Sequence, residues 1–218
     1  MTPAVHPLAG VIASFARLIS GVQVRWEGCV TEPRQRVYFA NHTSHLDFVV
    51  LWSALPSELR AVTRPVAAKD YWEKGVRAYI ALRVFHAVLI ERGAGARAEG
   101  LAHAKGTGPD VIEQLDDALG SDYSLILFPE GTRGTGEEVA PFRSGLYHLA
   151  RRRPDVQLVP AYLENLNRIL PKGEFLPVPL VSSLIFGAPI QAAENESKAD
   201  FLTRAREAVR GLRRGAPA

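Results

Sequence analysis

The sequence predicts an α/β fold: a single layered domain with a largely parallel or mixed central sheet flanked by helices. Three observations carry that prediction. Apolar runs of strand length recur at residues 37–40, 124–128, 156–160 and 181–186. Between them lie segments with apolar residues at helical spacing, such as Val111, Ile112, Leu115 and Leu119. Such alternation implies a sheet covered by helices. Third, polar residues able to do chemistry follow directly on two of the runs, at residues 41–47 and 129–134. Ligands of open α/β sheets bind outside the carboxyl ends of the strands.

The elements follow in order. Leu8, Val11, Ile12, Phe15, Leu18 and Ile19 recur at helical spacing, with Arg17 the sole charge among residues 8–19. Such a helix suits a membrane surface and a domain core equally well. It sets off residues 1–21 from a main domain of residues 22–218. Val22, Val24 and Trp26 alternate with polar residues, the mark of a half-buried strand ended by Gly28. Residues 37–40 are continuously apolar, as in a central strand, and a helix should run from Phe48 to about Pro56. Residues 59–68 read as a strand broken or edged by Pro65, residues 71–82 as a helix despite Gly75, and residues 84–90 as a strand. A Gly- and Ala-rich loop with a short helix is expected over 93–108. Pro109 opens a helix, and residues 124–128 are a short buried strand. Ser144 should cap a helix through Arg151, and residues 165–177 form an irregular excursion. After the run at 181–186, Phe201, Leu202, Ala205, Ala208, Val209 and Leu212 give a terminal amphipathic helix with its arginines mostly on the other face.

Composition narrows the function classes. The 218 residues are 47% hydrophobic and 22% charged, which suits one domain with a full core. A net charge of +3 is mild, and the basic clusters at Arg151-Arg152-Arg153 and along 204–214 are solvated faces or contacts to anionic phosphate. No nucleic-acid partner is expected, because no recognised module and no basic residues interleaved with stacking aromatics are present. The single cysteine, Cys29, excludes an intramolecular disulfide framework and fits a reducing cytosol. Neither a secretory signal nor a run of about 18 apolar residues is found.

The two polar stretches carry the chemistry. In Asn41-His42-Thr43-Ser44-His45-Leu46-Asp47, an imidazole and a carboxylate stand five positions apart where a strand hands over to a helix. A neutral imidazole, with a reference pKa of about 6.5, accepts protons near neutral pH. His42 could deprotonate an attacking alcohol while Asp47 holds its other nitrogen, and amides at the helix start could steady an oxyanion. Taken bare, His-x4-Asp favours a satisfied structural pair. His42, His45 and Asp47 as metal ligands lack a further His or carboxylate at ligand spacing, so no metal is expected. Ser44 lacks the Gly-x-Ser-x-Gly elbow of a nucleophile. In Phe128-Pro129-Glu130-Gly131-Thr132-Arg133-Gly134, Gly131 lets the backbone approach a ligand. Arg133 can bind phosphate bidentately, Thr132 can donate a hydroxyl, and Glu130 can accept from a polyol. By itself this stretch also reads as a Gly-rich turn with a surface ion pair. Lys69 and Arg92 follow two further strand ends.

Together these residues resemble the glycerolipid acyltransferase family, specifically its 1-acylglycerol-3-phosphate acyltransferase branch. Residues 41–47 are similar to the family's first motif. Val88-Leu89-Ile90-Glu91-Arg92-Gly93 resembles the second, with Glu91 where Asp is more usual. Residues 128–134, continued by Pro141-Phe142-Arg143-Ser144-Gly145, resemble the third, and Val159-Pro160-Ala161 the fourth. Lys69 and Phe186-Gly187-Ala188-Pro189-Ile190 also fit. The resemblance implies an acyltransferase-type fold over residues 22–218. It implies an O-acyltransferase that moves a fatty acyl group from acyl-CoA or acyl-acyl-carrier protein to a lysophospholipid hydroxyl. The expected acceptor is 1-acylglycerol-3-phosphate, giving phosphatidate; the alternatives are glycerol-3-phosphate or another lysophospholipid, or a non-catalytic lipid-binding module. No cofactor beyond the acyl thioester co-substrate is implied. His42 and Asp47 would be catalytic, and Lys69, Arg92, Glu130, Gly131, Thr132 and Arg133 would bind the acceptor. The partner surface would be the cytoplasmic face of a membrane, held peripherally or monotopically, because the transmembrane helices of some members are lacking. The polar excursion at 164–177, with Arg168 and Lys172, is longer than in the simplest members and reads as a solvated loop.

Overall fold

The computed structural model describes residues 6–44, 46–91, 109–169 and 181–213. The expected loop and helix at 93–108 and most of the excursion at 164–177 lie outside these residues. In chain order the elements are α1 (Pro7–Ser20), β1 (Gln23–Trp26), β2 (Arg36–Ala40), α2 (Asp47–Ala54), α3 (Ser57–Ala61), β3 (Thr63–Ala68), α4 (Lys69–Trp72), α5 (Gly75–Tyr79), a π-helical turn (Ile80–Val84) and β4 (Val88–Ile90). There follow α6 (Pro109–Leu119), β5 (Ser124–Leu127), α7 (Gly145–Arg152), β6 (Gln157–Glu164), α8 (Leu166–Ile169), β7 (Ser183–Phe186) and α9 (Lys198–Arg210).

Among the described residues the strands form one sheet in the order β1-β7-β6-β2-β5-β3-β4. From β6 to β4 all neighbours are parallel; β7 runs antiparallel to β6, and β1 is parallel to β7. The sheet is thus mixed but mainly parallel, as the sequence predicts. Strand β2 is central, and all five of its residues are buried. Its alternation divides the core. Tyr38 and Ala40 face α1 and α2, with Ile126, Val159 and Ala161. Val37 and Phe39 face α6, α7 and α9, with Leu125, Leu127 and Leu158. Burying a side chain such as Phe39 contributes about 1.5–3 kcal/mol. Helices therefore cover both faces of β2, which explains why its sequence is a continuous apolar run and not an alternating one.

Three of the expected elements differ, in two places. Residues 59–61 are helical, in α3, so β3 starts only at Thr63. Pro65 falls where β3 exchanges one neighbour for another: Thr63, Arg64 and Pro65 pair with β5, and Val66, Ala67 and Ala68 with β4. The helix expected over 71–82 is split, because Gly75 takes φ +62, and the turn after it absorbs Val84, shortening β4 to three residues. Both departures come from glycine and tertiary packing overriding local periodicity.

Helix α1 turns its small side chains inward. Ala9, Ala13, Ala16 and Ser20 are buried, while Val11, Phe15 and Leu18 are 64%, 62% and 79% exposed. His6 caps the helix by accepting from the Leu8 N–H at 3.2 Å, and Gly21 ends it in the left-handed region. Arg17 donates to the Ser53 carbonyl at the end of α2. The helix is thus docked on the core by its small residues together with Ile12 and Ile19, while Val11, Phe15 and Leu18 face away. Among the described residues no helix is long and apolar enough to cross a membrane.

Candidate active site

Strands β2 and β5 are neighbours, and the chain leaves their carboxyl ends toward opposite faces of the sheet, through α2 on one side and α7 on the other. That divergence opens a crevice between the two polar stretches. Asn41 fixes the first of them. Its side-chain N–H donates to the Leu163 carbonyl at 2.9 Å, and its oxygen accepts from the Leu163 N–H at 2.8 Å.

Asp47, the first residue of α2, is fully buried. Its Oδ2 accepts from His42 Nδ1 at 2.8 Å, from the Thr43 N–H at 2.6 Å and from the Ser44 N–H at 2.9 Å. A carboxylate oxygen only accepts, so Nδ1 carries the proton and Nε2 holds the basic lone pair. The imidazole is also stacked on the Phe128 ring, 4.4 Å between centroids at 23°. His42 is therefore held in one tautomer and one orientation, with 22% of its side chain exposed. The amides just before and at the first residue of α2 have internal partners: Thr43 and Ser44 give theirs to Asp47, Leu46 to Ser44 Oγ, and Asp47 to the Ser44 carbonyl. These four are committed to acceptors within the loop. Ser44 is buried at 1% exposure, and His45 lies outside the described residues.

Glu130 ties the second stretch to the first. Its Oε1 accepts from the His42 backbone N–H at 2.7 Å and its Oε2 from the Ala140 N–H at 3.0 Å. The Gly134 N–H donates to the His42 carbonyl at 2.8 Å. Glu130 is only 5% exposed. Burial pushes its carboxyl above the usual range; the two amides and the His42 charge pull it back down, and Asp47 adds to the rise. Both of its oxygens are engaged by backbone, so Glu130 is a strut between the two loops.

The remaining site residues are placed unevenly. Gly131 has φ +73, and the Arg143 guanidinium lies across it; a Cβ there would come within 2.7 Å of Arg143 Cδ and 2.8 Å of Cζ. Arg143 is held by its Nε–H donating to the Glu130 carbonyl at 3.3 Å. Thr132 is exposed and Arg133 half-buried, and Arg133 forms no hydrogen bond or ion pair with any described residue. Lys69 follows β3 at the same sheet edge but is paired with Glu91 at 2.6 Å, which raises its pKa. Arg92 lies outside the described residues. Among the described residues no group of three His, Cys, Asp or Glu is placed to hold a metal ion.

Three contributors were not identified from sequence. Arg143 was visible only as part of a continuing motif, and its closeness to Gly131 depends on the left-handed turn. Arg206 and Arg213, in and just beyond α9, were assigned to a solvated or phosphate-contacting face. They instead donate to the Val139 carbonyl at 2.7 Å and the Glu137 carbonyl at 2.9 Å. They brace the segment whose Ala140 N–H reaches Glu130.

Comparison with known proteins gives the family and the fold. The family model described as Acyltransferase matches residues 22–164. The 1-acyl-sn-glycerol-3-phosphate acyltransferase of Limnanthes douglasii is 27% identical over 181 residues, covering 78% of this chain and 56% of its own. The Taffazin of Dictyostelium discoideum is 28% identical over 153 residues, covering 68% and 51%. The chain thus spans about half the length of the curated relatives it matches. The crystal structure of the 1-acyl-sn-glycerophosphate acyltransferase PlsC from Thermotoga maritima superposes with a TM-score of 0.64 at 21% identity, over 94% of this chain and 78% of that one. The family model takes in both loops of the crevice, and with it this chain belongs to the acyltransferase family, where its resemblance is to the 1-acyl-sn-glycerol-3-phosphate acyltransferases.

Proposed function

We propose that the chain transfers a fatty acyl group from an acyl thioester, acyl-CoA or acyl-acyl-carrier protein, to the free hydroxyl of a lysophospholipid, with 1-acylglycerol-3-phosphate as acceptor and phosphatidate as product. The observation that carries this reading is the His42–Asp47 pair at the carboxyl edge of the sheet, held in the tautomer whose Nε2 accepts a proton. His42 Nε2 takes the acceptor hydroxyl proton as the oxygen attacks the thioester carbonyl. Asp47 stabilises the imidazolium that forms. The C–S bond breaks, the proton passes to the leaving thiolate, and an ester and a free thiol result. A thioester is already activated, so no enzyme nucleophile is needed, in keeping with the burial of Ser44.

Arg133 and Thr132 supply the phosphate contacts in this reading, with Arg92 and Lys69 as further cations. A charge-assisted hydrogen bond is worth roughly 1.5–3 kcal/mol. Arg133→Ala should therefore raise KM for phosphate-bearing acceptors about ten- to a hundredfold and leave a neutral monoacylglycerol little changed. Steady-state kinetics on the two acceptors tests this, and equal losses on both would remove Arg133 from the phosphate site. A panel of lysophospholipids and glycerol-3-phosphate identifies the acceptor.

We also propose a peripheral or monotopic seat on the cytoplasmic face of a membrane. Its support is the outward apolar face of α1 and the absence of acidic residues in that helix. The double variant Phe15→Ser, Leu18→Ser should lower co-sedimentation with phospholipid vesicles by tenfold or more, since each buried apolar side chain is worth about 1.5–3 kcal/mol. Turnover of a water-soluble short-chain acceptor should stay the same. Unchanged sedimentation would show that α1 is not the contact.

A further inference from the structure

The crevice with His42 lies at the carboxyl edge of the sheet. At the opposite, amino edge a second cleft opens between α1, α2 and the starts of β3, β4 and β5. It is lined by His6, Trp52, Arg60, Arg64, His86 and Tyr123, with small and apolar residues between them. Arg60, Arg64 and the Trp52 indole bring cations and a donor to it, and no Asp or Glu among the described residues lines it.

Two of those donors are buried without an acceptor, the Trp52 indole N–H and the Arg64 Nε–H. Trp52 is 3% exposed. Its ring is set edge-on to Phe85 at 4.9 Å, and the Arg60 guanidinium stands 5.3 Å from its centre. Arg64 lies over the Tyr123 ring at 3.3 Å, and its longest reach, from NH1 to the Ala118 carbonyl, is 3.4 Å. Buried donors are almost always paired, because an unpaired one forfeits its hydration. His86 is held at φ +49, in the left-handed region, at the lip of the cleft. Burial and the nearby Arg64, His6 and Arg83 press its pKa down, so the site is electropositive without a countercharge among the described residues. Arg60 also donates to the Ser53 and Leu55 carbonyls at 3.3 and 3.4 Å, which leaves the Trp52 and Arg64 donors as the unmatched groups. An oxyanion in the cleft would supply an acceptor and offset the cations.

We propose that this cleft binds a phosphate-class oxyanion, separately from the acyl-transfer site. A soluble phosphate ester and a phospholipid headgroup share this chemistry. His6 lines the cleft while also capping α1, whose exposed Leu8 follows within one turn.

The test uses the full chain. Inorganic phosphate is titrated calorimetrically into wild type, Arg64→Gln, Trp52→Phe and Arg133→Ala, each checked for native circular dichroism. Arg64→Gln is expected to weaken binding about tenfold, the scale of one lost charge-assisted hydrogen bond. Trp52→Phe, which keeps the ring and removes only the donor, is expected to weaken it about threefold to tenfold. Arg133→Ala should retain the site. If Arg64→Gln fails to fold, Trp52→Phe decides alone. A parallel arm compares sedimentation with phosphatidylcholine vesicles with and without phosphatidylglycerol. A phosphatidylglycerol-dependent gain lost in Trp52→Phe assigns the phosphate to a lipid, whereas dependence in the calorimetry alone assigns it to a soluble ester. Phosphate binding that is absent, indifferent to Trp52 and Arg64, or lost with Arg133 alone overturns the proposal.

Discussion

His42→Ala is expected to lower kcat by about 10²–10⁴-fold, the range contributed by a positioned general base, with little change in melting temperature. The variant removes one of three donors to Asp47 Oδ2 and leaves the Thr43 and Ser44 amides in place. Asp47 therefore keeps most of its solvation, and the loop keeps its anchor through Asn41. A structural pair and a catalytic one give opposite results here. Loss of stability with near-normal turnover would show that the imidazole only packs against Phe128. Loss of turnover with an intact fold assigns it to chemistry.

The second large effect belongs to Glu130. Glu130→Ala leaves the buried amides of His42 and Ala140 without their acceptors, at a cost of about 1–3 kcal/mol each. It also frees the His42 backbone to move, and a displacement near 1 Å at a reacting group is worth about a hundredfold in rate. Both kcat and the unfolding midpoint should therefore fall. Glu130→Gln is more telling, because it presents one acceptor and one donor to two N–H groups. The sign of the pH dependence follows from burial, which raises the folded pKa above the ordinary value of about 4.3. The folded state then holds the proton more tightly than the unfolded state. The stability this contributes is fully present below the unfolded value and is lost as pH rises through the folded one. Denaturant titrations across the weakly acidic range should show wild-type stability falling relative to Glu130→Gln as pH increases. Activity should change in the opposite direction, because only the ionised carboxylate accepts from both amides. Parallel slopes would contradict the strut.

Much of this site was legible in the sequence, and for identifiable reasons. Strand β2 is a continuous apolar run because it is buried on both faces. The His42–Asp47 contact is local, spanning one loop and the first residue of a helix, so spacing alone anticipates it. What sequence did not supply is the pairing of β2 with β5, which joins residues nearly ninety positions apart. The place of the Glu130 carboxylate under the His42 amide follows only from that pairing. The arginines in and just beyond α9 look solvated until the Glu137 and Val139 carbonyls arrive beside them. That Asp47 takes the Thr43 and Ser44 amides as well as His42 leaves no trace in spacing, because one carboxylate oxygen serves all three donors. Residues 59–61 were misread because a short apolar alternation does not separate a strand from a single helical turn.

Pro65 has a mechanical consequence. It stands where β3 passes from β5 to β4, and it carries no N–H to give to either neighbour. The sheet is therefore jointed at that residue. On one side is a stiff plate of β6, β2 and β5, which carries His42, Asp47 and Glu130. On the other is a short flap of β4 and the end of β3, which carries Lys69 and Glu91. The N–H that any other residue would offer the ladder at that point is missing, so the plate that carries His42, Asp47 and Glu130 is joined to the strip that carries Lys69 with one donor fewer at the step.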